Sequence, residues 1–180
     1  MLRKERAEGT AIGVEAESFT SRGLLFPDEL ALRVVTRWLE NRTRFLLDGF
    51  PRTAGQARSF DDLLAGRNLP LDIVYFLELS DDEIRSRMLG RLTCTNCGAV
   101  FNEAFHRIDL MTPCPQCAGP LARRADDTEA ALARRLAQYR GETLPVADHY
   151  RRVGILKAID VTPGRDEVFK TLYDDMKEAA

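Results

Sequence analysis

Four cysteines are spaced Cys94-x2-Cys97, then sixteen residues, then Cys114-x2-Cys117. Two C-x2-C pairs at that separation match a tetrahedral metal site built from two knuckles. Four thiolates close every coordination position and leave none for water or substrate, so the site reads as structural. Zinc suits a four-sulfur staple, although the sulfurs alone leave iron open. Competing readings are redox-active or fortuitous cysteines, and a ribbon that itself binds nucleic acid or protein. His106, between the pairs, reads as a surface residue, because the sulfurs already saturate the ion.

A second constellation is Asp48-Gly49-Phe50-Pro51-Arg52-Thr53, with Gln56 one turn further on. It follows the short apolar run Arg44-Phe45-Leu46-Leu47, which reads as a buried strand. Ligands of open α/β sheets bind beyond the carboxyl ends of strands. Asp48 there could order the waters of Mg2+, which keeps most of its hydration shell. Gly49 allows close backbone approach, and Arg52 could fork onto a phosphate. Gln56 shares the face of Arg52, and a carboxamide suits the hydrogen-bonding edge of a purine. The bland alternative is a strand-to-helix turn with an exposed arginine.

Arg87, Arg91, Arg124 and Arg135 flank the cysteine region on both sides. Arg87 and Arg91 are four residues apart on one helix and face the same way. If the cysteine region closes as a flap, its hinges bring the four together. Clustered guanidiniums are what a transferring phosphoryl group needs, because its charge spreads over several oxygens. Taken singly, each pair also fits an ordinary solvated helix face.

These residues need a frame. Helices are expected over 1–8 and 12–22, the latter stopped by Gly23. Another is expected from Pro27-Asp28-Glu29 to about Glu40, with proline and acids in its first turn. Thr53 to Ala65 also reads as helix. Leu71–Leu79 is the strongest strand, and Ser80-x-x-Glu83 is a capping box for the helix after it. Residues 92–124 have no helical period and read as a β-rich, metal-stapled insertion. Asp126-x-x-Glu129 resembles another helix start, running to about Tyr139. Ile155–Val161 is a third strand. Thr162-Pro163 opens a last helix with Phe169, Leu172, Tyr173 and Met176 at helical spacing. Alternating strands and helices predict α/β with a parallel sheet.

The 180 residues are 44% hydrophobic and 30% charged, with a net charge of -2. That suits a globular domain with an insertion and gives no basic excess for bulk nucleic-acid binding. Arginines greatly outnumber lysines, a weak pointer to phosphate or carboxylate recognition. No apolar run reaches the roughly 18–20 residues that span a bilayer, and no signal peptide is evident. The expected compartment is the cytoplasm.

Together the residues are similar to bacterial adenylate kinases of the zinc-containing long form. Met1-Leu2-Arg3 resembles the tail of the family's Thr-Gly-Asp-Met-Leu-Arg segment, and Leu25-Phe26-Pro27-Asp28-Glu29-Leu30 its Leu-Val-Pro-Asp-Glu-Leu. Asp48-Gly49-Phe50-Pro51-Arg52-Thr53 with Gln56 is the most specific match. Arg87-x3-Arg91, the cysteines, Arg124-x-Asp126-Asp127, Arg135-Leu136, Tyr139, Thr143-x-Pro145-Val146 and Asp160 complete it. The resemblance implies reversible phosphoryl transfer from ATP to AMP, giving two ADP, with Mg2+, in a monomer. It implies an AMP-binding part over 1–26, a CORE over 27–90 and 128–180, and a LID over 91–127 with structural zinc. Arg3, Arg52 and Gln56 would hold AMP, with the backbone near Leu25 and Phe26 beside the adenine. Asp48 would order the Mg2+ waters. Arg91, Arg124 and Arg135 would clamp phosphates, and Arg87 would pack on the ATP base.

The implied fold is a P-loop NTPase-like parallel sheet flanked by helices. The family's first strand and its Gly-x-Pro-Gly-x-Gly-Lys-Gly loop match nothing in these residues and would precede Met1. The expectation is that Met1 is an internal methionine of a longer gene, the alternative being a truncated paralogue. As it stands, the 180-residue polypeptide is expected to have little or no kinase activity, leaving an AMP-binding remnant as the second functional reading.

Overall fold

The computed structural model describes residue 5, residues 7–20 and residues 27–178. Arg3, Leu25, Phe26, Gly23 and most of the helix expected over 1–8 lie outside the described residues. The chain divides into two units. One holds the residues up to Val74 with Arg140–Lys157, and the other holds Tyr75–Tyr139 with the residues from Ala158 on.

In the first unit, helices α1 (Ala11–Thr20), α2 (Asp28–Trp38) and α3 (Ala54–Ala65) are followed much later by α7 (Leu144–Val153). Helix α3 starts because Thr53, in extended conformation, accepts from the Gln56 N–H at 3.0 Å. Its faces divide the packing. Phe60 and Leu64 close on Val35 and Leu39 of and beside α2, with the Phe50 ring edge-on to Phe60 at 5.3 Å. Ala57 instead packs with Val146 and Tyr150 of α7. Tyr150 is fully buried, and its hydroxyl donates to Asp61 at 3.2 Å; His149 Nε2 lies 2.6 Å from the other oxygen of that carboxylate.

Burial, reinforced by the Asp61 charge, pushes the Tyr150 phenol well above its ordinary range. A folded-state pKa raised above the unfolded one gives stability that is complete below the unfolded value of about 10 and is lost as pH rises beyond it. Tyr150→Phe is therefore expected to cost roughly 1 kcal/mol at neutral pH and to flatten the alkaline loss. Denaturant titrations at pH 7 and pH 10.5 check both effects.

The strand expected over 44–48 is not one. Among the described residues no strand runs alongside it, and an unladdered segment cannot be a strand however apolar it is. Phe45 and Leu47 still turn toward the α2–α3 cluster, while Leu46 is 72% exposed.

The parallel sheet is correspondingly small. Among the described residues, strands β1 (Val74–Glu78) and β5 (Leu156–Asp160) pair only with each other. In the first unit the Val74 N–H donates to Ile155 O; in the second the Val161 N–H donates to Glu78 O. Both partners advance together, so this pair is parallel. The remaining strands are antiparallel and belong to the β-rich insertion expected over 92–124.

They form the insertion of the second unit: β2 (Arg91–Cys94), β3 (Val100–Asn102) and β4 (Leu121–Arg123), in the order β3-β2-β4. Leu92 faces Phe101 on one side and Arg123 on the other, and Cys94 faces Leu121. The short helix α5 (Glu103–His106) follows β3, its Asn102 cap accepting two N–H bonds. Helix α4 (Asp81–Leu89) enters the insertion and α6 (Glu129–Gln138) leaves it; Met88, Ala131 and Leu132 form their shared core. Ser80 caps α4 as expected. Asp126 does not cap α6. Thr128 does, accepting from the Ala131 N–H at 3.2 Å, because Asp126 is held by arginines. Beyond a π-turn over Tyr139–Thr143 and β5 comes α8 (Arg165–Glu178). Its apolar face stays open in this structure: Phe169 is 65% exposed and stacks on Tyr173 at 5.9 Å.

Candidate functional site

The sulfurs of Cys94, Cys97, Cys114 and Cys117 all lie within 4.8 Å of one another. Cys94 to Cys117 is 3.5 Å and Cys97 to Cys114 is 3.7 Å. Metal–sulfur bonds of about 2.3 Å in a tetrahedron give sulfur–sulfur edges of roughly 3.8 Å, so these residues fit a four-coordinate ion. The two knuckles repeat one turn. Gly98 N–H donates to Cys94 O at 3.0 Å, and Ala118 N–H to Cys114 O at 2.8 Å. Donors also point at the sulfurs: Cys97 N–H to Cys94, Gln116 N–H to Cys114 and Asn96 Nδ2 to Cys117. Such bonds favour thiolates, and the Gly119 N–H is the main cause that draws Cys117 down to about 6. Gly119 has no room for a side chain. A Cβ there would sit 2.7 Å from Asn96 Cβ and 3.2–3.3 Å from two sulfurs. His106 is no ligand: its Nδ1 accepts from the Asn102 N–H at 3.0 Å.

In the same unit, three of the four flanking arginines share two carboxylates. Arg91 Nε donates to Asp127 Oδ2 at 2.7 Å, and its Nη2 donates to Oδ1. Arg124 forks onto Asp126 at 3.1 and 3.3 Å. Arg135 donates to Asp126 at 2.9 Å and lies 3.9 Å from Asp127. Hydrogen bonding to Asp127 raises Arg91 further above its ordinary value, against the opposing effect of burial. Burial would raise Asp126, but the hydrogen bonds and charge of Arg124 and Arg135 win and hold it low. Arg87 stands apart. It donates to Glu83 at 2.9 Å and to the Val161 carbonyl at 2.8 Å, and lies over the Phe105 ring at 5.5 Å.

In the first unit, the Asp48–Thr53 turn is wound on itself. Gly49 is left-handed, with φ of 76°, and its carbonyl accepts from Arg52 Nε at 2.7 Å. A Cβ at Gly49 would approach Arg52 Nη2 to 3.0 Å. Arg52 N–H donates to Gln56 Oε1 at 2.8 Å, and Thr143 Oγ1 donates to the Arg52 carbonyl at 3.2 Å. Asp28 completes the turn from α2, accepting from Thr53 Oγ1 and from Gln56 Nε2, each at 2.9 Å. Asp48 is exposed at the start of the turn. Two residues escaped the sequence reading as site members. Asp127 was visible only as a motif neighbour of Arg124. Asp28 stood out only as a first-turn acid within the Leu25–Leu30 motif, since nothing local marks a partner 28 positions away.

An α/β chain whose four-cysteine insertion is bracketed by guanidinium–carboxylate pairs defines a recognisable class: a nucleotide-binding fold with an insertion whose thiols fit a metal ion. The comparisons with known proteins agree. The adenylate kinase family profile matches residues 1–155. An adenylate kinase of Thermodesulfovibrio yellowstonii is 37% identical over 175 residues, 96% of this chain and 81% of that protein. One of Methanosarcina barkeri is 37% identical over 183 aligned residues, 100% of this chain and 85% of the relative. One of Moorella thermoacetica is 39% identical over 163, 89% and 75% respectively. The chain belongs to the adenylate kinase family, and its cysteine cluster is consistent with a zinc-binding LID. Among the described residues no helix is long and apolar enough to cross a membrane.

Proposed function

We propose that the chain serves reversible phosphoryl transfer between ATP and AMP, giving two ADP, with Mg2+ accompanying ATP. The observation that carries this reading is the convergence of Arg91, Arg124 and Arg135 on two adjacent carboxylates. Guanidiniums that fork onto planar carboxylates fork equally onto phosphoryl oxygens. Residues 91–127 act as the LID, 27–90 and 128–180 as the CORE, and 1–26 as the AMP-binding part. Arg3, Arg52 and Gln56 hold AMP beside the backbone at Leu25, Arg87 packs on the ATP base, and Asp48 orients waters of the Mg2+ shell. The chemistry is positioning, charge neutralisation and exclusion of water, with no protein general base. The four cysteines would hold zinc, which supplies rigidity and no reactive position. ATP, AMP and ADP are the partners, without nucleic acid, in a cytoplasmic monomer.

A second reading applies to the polypeptide of these 180 residues tested alone. It contains no glycine-rich phosphate loop, the element that supplies backbone amides and a lysine to ATP. Calorimetric titration with AMP and ATP separately, beside an assay for ADP, tests both. AMP should bind, ADP formation should stay at background, and Arg52→Ala should weaken AMP binding by roughly 10- to 100-fold. Robust ADP formation would remove the second reading; failure to bind AMP would remove both.

A further inference from the structure

The Gln56 amide is only 6% exposed and is anchored at both ends. Its Oε1 accepts from the Arg52 N–H at 2.8 Å, and its Nε2 donates to Asp28 Oδ1 at 2.9 Å. A backbone N–H can only donate and an ionised carboxylate can only accept, so these partners allow one amide orientation and forbid its flip. One lone pair on Oε1 and one N–H on Nε2 remain beyond those two bonds. Asp28 is itself held from the other side, where Thr53 Oγ1 donates to its Oδ2 at 2.9 Å. Gly55 keeps that place clear: a Cβ there would stand 2.6 Å from Asp28 Oδ2.

We infer that Asp28 is a specificity-determining positioning residue, which fixes the Gln56 amide in the orientation that reads a 6-aminopurine and rejects a 6-oxopurine. The inference rests on the proposed reading of Gln56 as part of the AMP site. A 6-aminopurine offers a donor at its exocyclic nitrogen and an acceptor at N1. A 6-oxopurine offers the reverse, an acceptor at O6 and a donor at N1. A freely turning carboxamide satisfies either edge by rotating half a turn. An anchored one satisfies only the first, and a mismatched edge leaves a polar group facing its own kind. Of the two anchors, the bond to Asp28 is the charge-assisted one and therefore the stronger. Asp28 touches no reacting atom in this scheme; it acts through Gln56.

The test is calorimetric titration of the 180-residue chain with AMP and with inosine monophosphate, for wild type, Asp28→Ala, Asp28→Asn and Thr53→Ala. Melting curves accompany each titration to establish that the variant is folded. Wild type should prefer AMP. Asp28→Ala should reduce the AMP-to-IMP preference roughly tenfold, chiefly by admitting IMP. Asp28→Asn keeps an acceptor for Gln56 Nε2 and should restore the preference. Thr53→Ala removes the helix cap and one of the bonds that hold Asp28, but leaves the Asp28–Gln56 bond in place, so it should lower the melting temperature and reduce the preference clearly less than Asp28→Ala does. An unchanged ratio in Asp28→Ala, with AMP still bound by wild type, overturns the role of Asp28 alone. A ratio that falls equally in Thr53→Ala also overturns it, because general loosening would then suffice. Wild type that binds no AMP overturns the AMP reading and this inference together.

Discussion

Removal of the metal from the four-cysteine centre is expected to melt residues 91–124 while α3 and α7 keep their structure. The magnitudes decide this. The insertion's own core is Leu92, Phe101 and Leu121 with the two buried cysteines, and Ala99 and Ile108 at its edge. Full burial of a large apolar side chain contributes about 1.5–3 kcal/mol, and a segment below roughly 40 residues cannot offset its chain entropy on such a core. A structural zinc ion held by thiolates contributes on the order of 10–16 kcal/mol in small metal-dependent folds. The ion outweighs the core, and the core cannot replace it. Without the ion, four sulfurs within 4.8 Å of one another, two pairs of them at 3.5 and 3.7 Å, must protonate or repel. Metal analysis should give about one zinc per chain. Chelation, or Cys117→Ser, should then raise hydrogen exchange at β2, β3 and β4 at least roughly 100-fold, since sub-global opening becomes free of the metal's contribution. Exchange at α3 should be unchanged. Strands that stay protected in the metal-free protein would show that the hydrophobic cluster suffices.

Much of this centre was legible because its information is local. Two C-x2-C knuckles encode the same turn twice, and the structure repeats it at Gly98 and Ala118. The caps at Thr53 and Ser80 are equally local, a hydroxyl three residues before the N–H it receives. Failures occurred where the deciding partner is distant. Arg44–Asp48 has the composition of a buried strand, yet strand identity depends on a neighbour's backbone, which a single segment does not encode. Asp126 has the spacing of a cap, but its carboxylate gains more from two guanidiniums than from one N–H, and Thr128 takes the cap instead. The helix Leu144–Val153 has no side-chain cap to announce it; Pro145 sits in its first turn, where no intrahelical N–H is needed. On α8 the helical spacing of Phe169, Leu172, Tyr173 and Met176 matches the helix that forms, but spacing does not say what covers a face. Arg87 and Arg135 lie on the helices that bracket the insertion, but Arg91, expected on the helix of Arg87, begins strand β2 beyond Gly90, and Arg124 follows β4. Which of them share a carboxylate could not be placed, and the separation of Arg87 from Arg91 shows the difference.

Asp127→Ala is expected to destabilise the second unit by about 2 kcal/mol, several times the effect of Asp126→Ala. The two residues are adjacent, carry the same charge and touch the same guanidinium of Arg135. They differ in burial. The Asp127 side chain is 2% exposed and receives both Nε and Nη2 of Arg91, whose side chain is 27% exposed; the Asp126 carboxylate is half-exposed. Breaking a fully buried pair costs about 3–5 kcal/mol, mostly because the partner left behind keeps its charge without compensation. Arg91 retains some solvent, so part of that penalty is relieved and the lower figure follows. At Asp126 water and salt screen each pair, and exposed pairs contribute within roughly 1 kcal/mol. Thermal unfolding should show a fall of roughly 4–8 °C for Asp127→Ala and a few degrees at most for Asp126→Ala. Asp127→Asn separates charge from volume: it preserves the packing and a weaker hydrogen bond, so it should fall between them. The same substitution releases Arg91 and half of the hold on Arg135. Inorganic pyrophosphate should consequently bind the Asp127→Asn protein more tightly than wild type, by roughly the tenfold that one charge-assisted hydrogen bond is worth. Equal melting shifts at 126 and 127 would mean that the buried carboxylate is as well solvated as its neighbour. Unchanged pyrophosphate binding would mean that the two acids do not compete with phosphate for these arginines, which would remove the observation on which the proposed phosphoryl clamp depends.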